Sequence, residues 1–486
     1  MTSTGALGRV LPARWFALAI PAVLLVALAL VYQPFLATGV VVGGGLMVLT
    51  NLWPVQVIGM MLAIGPLDLS FITGGFKELF PELGGLDMNG IRLLGVSGGL
   101  VLCICLNRDL VRQAVGRHGR WYLLYLVYAA ATIPLSLEPL EGARLLLKLA
   151  YPLLFLIVLT APSRTRADLL RLADWVLVAA AVILAVNPFF VLAGGYEVSF
   201  GGWTRVQGLG IHENPFSFYL LVMLMLSVAR FTTRGQLRYI VLALACIAWM
   251  GLTLTRITFV ASLVGLGSMG LYGAVVHRRY QVLIGTLAGG LLLVVLLAEV
   301  VLVRTFGYVP TLVELMSLAQ SPGELFYAMN WQGREVFWPV LFQAFTTSPW
   351  IGLGLGSSSG IMISTFPPEA GGVAHNEFLR LAVDTGILGV LLYCWAISIW
   401  FRGGIQAGRE ATDTVLEFTL PLVAGIMAWG VISMTDNAFD YYAPFTQFMG
   451  FLLAGALVAA RDGGAEILPP EDGHIEAAPT ATVHTS

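Results

Sequence analysis

Apolar stretches long enough to cross a bilayer recur along the whole chain. From Tyr239 to Leu254, and again from Ile257 to Val276, no side chain is charged. A helix needs about 20 mostly apolar residues to span the hydrocarbon core, where every backbone N–H and C=O must be satisfied without water. Runs of this kind, bounded by charges, Pro or Gly, predict about fourteen spans, within a range of about 12–14. They run Trp15 to Tyr32, Phe35 to Thr50, Leu52 to Leu67, Ile91 to Leu106, Trp121 to Leu137, Leu145 to Thr160, Ala173 to Ala193, Pro215 to Ala229, Tyr239 to Leu254, Ile257 to Val276, Val282 to Val303, Phe378 to Trp400, Val415 to Met434 and Tyr442 to Ala460. The second and third are short and interrupted, and read equally as a hairpin or a re-entrant pair. Only 11% of the 486 residues are charged and 58% are hydrophobic, whereas a soluble domain is about 25% charged. Soluble globular and disordered classes are thereby excluded. The fold class is all-α, a polytopic transmembrane helix bundle with a long outer loop containing interfacial helices.

Loop charge then orients the spans, because short cytoplasmic loops carry the Lys/Arg excess. Arg108, Arg112, Arg117 and Arg120 share one loop, and Arg164, Arg166 and Arg171 the next but one. Arg230, Arg234 and Arg238 follow, then Arg278 and Arg279, then Arg402 and Arg409, and last Arg461. These positions alternate with the spans and place both termini in the cytoplasm, as do Arg9 and Arg14. The first run is read as an uncleaved span, with a signal peptide cleaved after Ala27 and Ala29 as the alternative. The organisation is thus N-terminal spans over 1–303, a long outer loop over 304–376, C-terminal spans over 377–460 and a polar, disordered cytoplasmic tail over 461–486. All four cysteines fall within spans without C-x-x-C spacing, so neither a disulfide nor a metal site is expected.

The same rule isolates the unusual cations. Lys77, Arg205, Arg304 and Arg334 lie in outer loops that should be poor in basic residues, and Arg92, Arg144, Lys148 and Arg256 lie at outer span boundaries. A cation at membrane depth usually faces a cavity, a carboxylate or an anionic ligand. Arg256 stands in LTLTRITF among Thr253, Thr255 and Thr258. There a guanidinium can fork onto a phosphate, or simply snorkel to the boundary. Arg144 and Lys148 share a helical face, with Glu138 and Glu141 just before them, so a ligand site and a surface ion pair are both open. The loop GGWTRVQGLGIHENP holds Arg205 and His212, the latter a phosphate donor or part of a helix cap before Pro215.

The long outer loop far exceeds what a connection needs. EVFWPVLFQAF predicts an interfacial helix with Arg334 at its start, and GLGLGSSSG reads as a turn rather than a nucleotide loop. AHNEFLRLAVDTGILG sets His375, Asn376 and Glu377 at the mouth of the next span. Imidazole can take a proton near neutral pH, which suits His375 to activating a hydroxyl; the alternative is that His375 and Asn376 cap the helix. No Walker, zinc-protease or paired Cys/His motif is present, and nothing suggests nucleic-acid binding.

The TR element at a span end, GREVFWPVLFQAFTTSPWIGLGLG in a long outer loop, and AHNEFLRLAVDTGILG opening the next span together resemble the O-antigen ligase and polymerase superfamily. The resemblance covers roughly Thr253 to Leu391. It implies a glycosyltransferase of the bacterial inner membrane, needing no cofactor, metal or ATP, that acts at the periplasmic face. Its partners would be a polyprenyl-diphosphate-linked glycan donor, a glycan or lipid A core acceptor, and membrane lipids. Carried over, Arg256 and Arg334 contact the donor diphosphate and His375 activates the acceptor hydroxyl, with inversion at the anomeric carbon. Arg205, His212, Arg144, Lys148, Asn376 and Glu377 are the expected substrate-binding residues, with Glu377 orienting His375. The alternative function is a transporter or flippase of lipid-linked glycans, which would place ionisable groups at mid-membrane depth.

Overall fold

The computed structural model describes residues 34–64, 88–192, 194, 196–198, 204–206, 213–321, 324, 333–366, 374–409, 413–438 and 445–463. The expected span from Trp15 to Tyr32, together with Lys77, His212 and the tail beyond residue 463, lies outside them.

The chain forms α1 (Pro34–Leu52), α2 (Pro54–Ile64), α3 (Met88–Leu106), α4 (Arg108–Val115), α5 (Arg120–Thr132), α6 (Pro139–Leu159) and α7 (Arg166–Leu192). A short antiparallel pair, β1 (Tyr196–Val198) and β2 (Thr204–Val206), follows, with Glu197 opposite Arg205. Then come α8 (Glu213–Arg234), α9 (Leu237–Thr253), α10 (Arg256–His277), α11 (Tyr280–Phe306), α12 (Leu312–Gln320), α13 (Arg334–Thr347), α14 (Ser357–Thr365), α15 (Glu377–Arg409), α16 (Asp413–Ser433) and α17 (Phe445–Asp462). The described part of each expected run from Phe35 onward is largely helical. Among the described residues six helices (α6, α7, α8, α10, α15 and α16) are long and apolar enough to cross a membrane. The fold is an all-α membrane bundle.

The α1 and α2 runs are one apolar unit bent by 117° at Trp53. Helix α1 lies parallel to α3 because small residues remove the side chains between them. A Cβ on Gly95 would stand 2.7 Å from the Gly43 carbonyl oxygen, and one on Gly99 would stand 2.6 Å from that of Met47. In lipid, where apolar burial drives little association, such backbone contact supplies the packing energy.

Two buried cores organise the rest. The larger runs through α6, α8, α16 and α17 and includes an aromatic column in which Tyr122 stacks on Trp400 at 4.7 Å and Tyr125 meets Tyr393 at 5.0 Å. The smaller joins Leu341 of α13, Met362 of α14, Ala374 and Val383, with Phe337, Phe345 and Phe366 packed around them. The long loop therefore folds into a helical cap with its own core. The predicted helix at EVFWPVLFQAF is α13, which buries Leu341 and leaves Val336 and Phe342 exposed. In GLGLGSSSG the turn covers residues 352–356, and the serines open α14.

Helix α15 departs from the expected span starting at Phe378. Its backbone breaks at Gly386, where φ is 66° and ψ is −178°. The Trp429 ring meets both Phe378, at 5.7 Å, and Tyr393, at 5.4 Å, residues that a straight helix would hold about 22 Å apart. Residues 377–385 thus form a separate segment folded toward the bundle, and the continuous span begins after the break. The cap supplies the partners a broken helix needs. Ile387 N–H donates to the Pro349 carbonyl (2.8 Å), Leu353 N–H to that of Val383 (2.8 Å) and Gly354 N–H to that of Asp384 (2.9 Å).

At the opposite, arginine-rich end, Arg230 and Arg234 are not the loop residues expected from the sequence. Both belong to α8. Arg230 pairs with Glu417 of α16 and lies 3.5 Å from Asp174, while Arg234 meets Glu417 at 2.8 Å and Asp174 at 3.6 Å. The cluster ties α7, α8 and α16 together.

Candidate active site at the capped end

The capped end gathers groups far apart in sequence. His375 follows Ala374, whose carbonyl accepts from the Trp338 indole at 3.1 Å. His375 itself adopts the left-handed region, with φ of 50°, a conformation costing an L-residue about 1–2 kcal/mol. Next, Asn376 Oδ1 accepts the Leu379 N–H at 2.9 Å and caps the helix. The imidazole is thus aimed by an anchored carbonyl on one side and a helix start on the other.

The ring is directed at Asp436, whose Oδ1 lies 3.4 Å from His375 Nδ1, with the Asn437 amide 3.5 Å from the same nitrogen. Asp436 is 1% exposed and His375 24%. The carboxylate is also fixed by Asn214 Nδ2 at 2.9 Å and by the Asn437 N–H at 2.8 Å. Arg334, the first residue of α13, donates from Nε and Nη2 to the Thr435 carbonyl at 3.1 and 2.9 Å. One turn after α16 therefore holds both the carboxylate behind the histidine and the guanidinium of the cap. Thr255 Oγ1 donates to Asn214 Oδ1 at 3.3 Å, which brings the start of α10, with Arg256 next in sequence, to the same cluster. Below it, Ser217 and Thr258 share a hydrogen bond of 2.7 Å between α8 and α10.

The structure therefore assembles His375, Arg334 and the Arg256 turn. It also adds Asp436, Asn437 and Asn214, which the sequence reading missed. The sequence signal for Asp436 and Asn437 is a polar Thr-Asp-Asn placed directly after an apolar run, whereas Asn214 stands in the HENP at the start of α8. Glu377, expected to orient His375, is fully buried and stands 3.5 Å from Arg380 on its own helix; Asp436 is the carboxylate at the imidazole Nδ1. Arg144 lies 3.4 Å from Glu141, with Lys148 one turn further along α6. Arg205 is on β2, and its register partner is Glu197. Asp384 accepts N–H bonds from Gly356 (3.0 Å) and Ser358 (2.7 Å), an anion at the start of α14 that fastens the glycine turn to α15.

Chemically, an imidazole braced at Nδ1 by a buried carboxylate keeps Nε2 for a substrate proton, and a guanidinium held on the same turn, that of Arg334, is a group able to hold an oxyanion. Fold and site together define a multi-pass membrane protein in which a histidine, a buried carboxylate and an arginine of the folded cap meet at one turn. Residues 216–394 match the family model described as O-antigen ligase. The matched segment runs from α8 into α15 and contains Arg256, Arg334 and His375, whereas Asn214 and Asp436 flank it. Among curated proteins no significant match is found.

Proposed function

We propose that the protein transfers a glycan from a polyprenyl diphosphate carrier to an acceptor sugar hydroxyl at the outer face of the inner membrane. The observation that carries this reading is the single turn 435–437, which holds Asp436 against His375 and, through the Thr435 carbonyl, Arg334 beside them. Asp436 keeps the proton on Nδ1, and Nε2 accepts the proton of the attacking hydroxyl. The new bond forms between that oxygen and the anomeric carbon as the bond to the diphosphate oxygen breaks. The electron pair departs with the diphosphate, whose growing charge Arg334 and Arg256 offset. A single displacement inverts the anomeric centre. The diphosphate is already an activated leaving group, so the step itself consumes no nucleotide.

The test is transfer by the purified protein in detergent, using a polyprenyl-diphosphate glycan and candidate acceptor sugars. Asp436→Asn should cut turnover about 10²-fold or more while leaving the thermal midpoint within a few degrees. Turnover equal to wild type would remove Asp436 from the mechanism. Transfer in detergent, with no membrane to cross, also separates this reading from a flippase. The product names the acceptor. Deletion that leaves single-repeat glycans points to a polymerase, and intact chains left on the carrier point to a ligase.

A further inference from the structure

A second site lies at the other end of the bundle, between α2 and α7. There a groove of about 440 Å³ is lined by Gln56, Met60 and Ala63 on one wall and by Arg164, Arg171 and Trp175 on the other. Its polarity is graded. Arg164 and Arg171 stand at the end where α7 begins, and beyond them the lining is apolar as far as Ala179. Neither guanidinium has an ion-pair partner among the described residues, and Arg164 Nε is buried without a hydrogen bond. The acidic lining residue, Asp168, is fastened to the start of α7, where its Oδ2 accepts from Thr165 N (3.0 Å) and Thr165 Oγ1 (2.8 Å), and it lies near enough to Arg171 and Arg164 to feel their charge, one carboxylate against two guanidinium groups. Asp462 is likewise engaged, with the Arg166 N–H at 2.6 Å and Arg461 at 3.1 Å. The apolar walls stay open: Trp175 is 70% and Met60 44% exposed.

The groove's depth is set by close packing, since a Cβ on Gly59 would fall 2.5 Å from Leu172 Cδ1. A molecule filling it must be anionic at one end and apolar along the rest, and must reach it from the bilayer. We infer that this groove binds an anionic phospholipid of the inner leaflet, with its phosphate between Arg164 and Arg171 and an acyl chain along Met60, Leu172 and Trp175. Charge complementarity selects that occupant, because basic pockets between helices at a membrane surface recruit anionic headgroups at about 1 kcal/mol per cation. The leaflet follows from the arginine orientation, and the site is independent of the transfer chemistry at the other end.

The experiment compares the full-length protein in detergent titrated with phosphatidylglycerol or with phosphatidylcholine, reading thermal midpoint and lipid adducts by native mass spectrometry. Wild type should be stabilised preferentially by phosphatidylglycerol. The double variant Arg164→Gln/Arg171→Gln should bind it roughly 30-fold more weakly, whereas Arg164→Lys/Arg171→Lys and the distant Arg112→Gln keep the preference. Met60→Trp, which fills the apolar wall without touching a charge, should also lose it, and this variant decides the matter if the Gln pair does not accumulate. No preference in wild type overturns the proposal. So does an undiminished preference in the Gln pair or in Met60→Trp, the groove then being covered by the chain itself or by neutral lipid tails.

Discussion

The two ends of the bundle both bury charge, and they do it differently. Around Glu417 the account is closed: Arg230 is 1% exposed and the Glu417 side chain 6%, and two arginines face two carboxylates. Around Asp436 the carboxylate is buried equally well, but its partner His375 is 24% exposed, so this set opens to the surface. A closed set of charges, guanidinium against carboxylate, joins helices. An open set, braced from behind by a buried acid, has a reactive edge facing out.

That contrast can be broken by substitution, and the largest effect belongs at the open end. His375→Ala should lower glycan transfer about 10²–10⁴-fold while the protein inserts and melts like wild type; turnover within a few-fold of wild type would dissolve the distinction. At the closed end the effect moves to stability. Glu417→Ala leaves Arg230 buried with fewer partners and should cost about 3–5 kcal/mol, measured as a fall in denaturation midpoint. Activity per folded molecule should be kept, and an equal loss of both quantities would mean that the closed cluster also reports on the site.

A smaller effect concerns a histidine at the arginine-rich end. His118 is packed so that a Cβ on Gly403 would meet its Nε2 at 2.6 Å, and its carbonyl accepts from the Trp400 indole at 2.7 Å. Burial, and then the nearby Arg117 charge, lower its pKa from 6.5 to about 4. The unfolded chain therefore binds a proton between these values that the folded chain refuses. Stability should fall as pH drops from about 6.5 towards 4, by at most about 3 kcal/mol. His118→Gln should flatten this part of the pH–stability curve, and an unchanged slope would mean that other groups set it. The smallest expected effect, about 1–3 kcal/mol, is that of Gly142→Ala, whose Cβ would lie 2.1 Å from the Leu355 carbonyl oxygen. It loosens the seat of the cap, so the rate of transfer should fall along with the melting temperature. If only the melting temperature moves, the cap does not position the site.

Helices and their order were legible because a span is dictated by solvent: about 20 apolar residues admit few other structures. Arg256, Arg334 and His375 stood out for the same reason, as polar groups where the bilayer boundary makes them costly. What remained hidden depended on pairing rather than on cost. Asp436 follows an apolar run as any boundary acid does, and nothing in its neighbours announces His375, 61 residues away. Arg230 reads like a loop cation because the pattern that marks a boundary cannot show which way a long side chain turns. The break at Gly386 was invisible because DTGILG continues an apolar helix acceptably, and only the cap's carbonyls reveal why the helix stops.

The seat of the cap also sets an order of assembly. It rests on Ser136 and Gly142 on one side and on Gly386 on the other, and the Tyr128 hydroxyl meets the Thr385 carbonyl at 2.9 Å across 257 residues of sequence. At 5–20 residues per second, translation needs about 13–50 s to cover that distance. During this interval α5 is already made, while the residues that lock the cap have yet to be synthesised. Asp436 emerges later still, so the cluster proposed as the catalytic centre is completed only after the residues that lock the cap have been made.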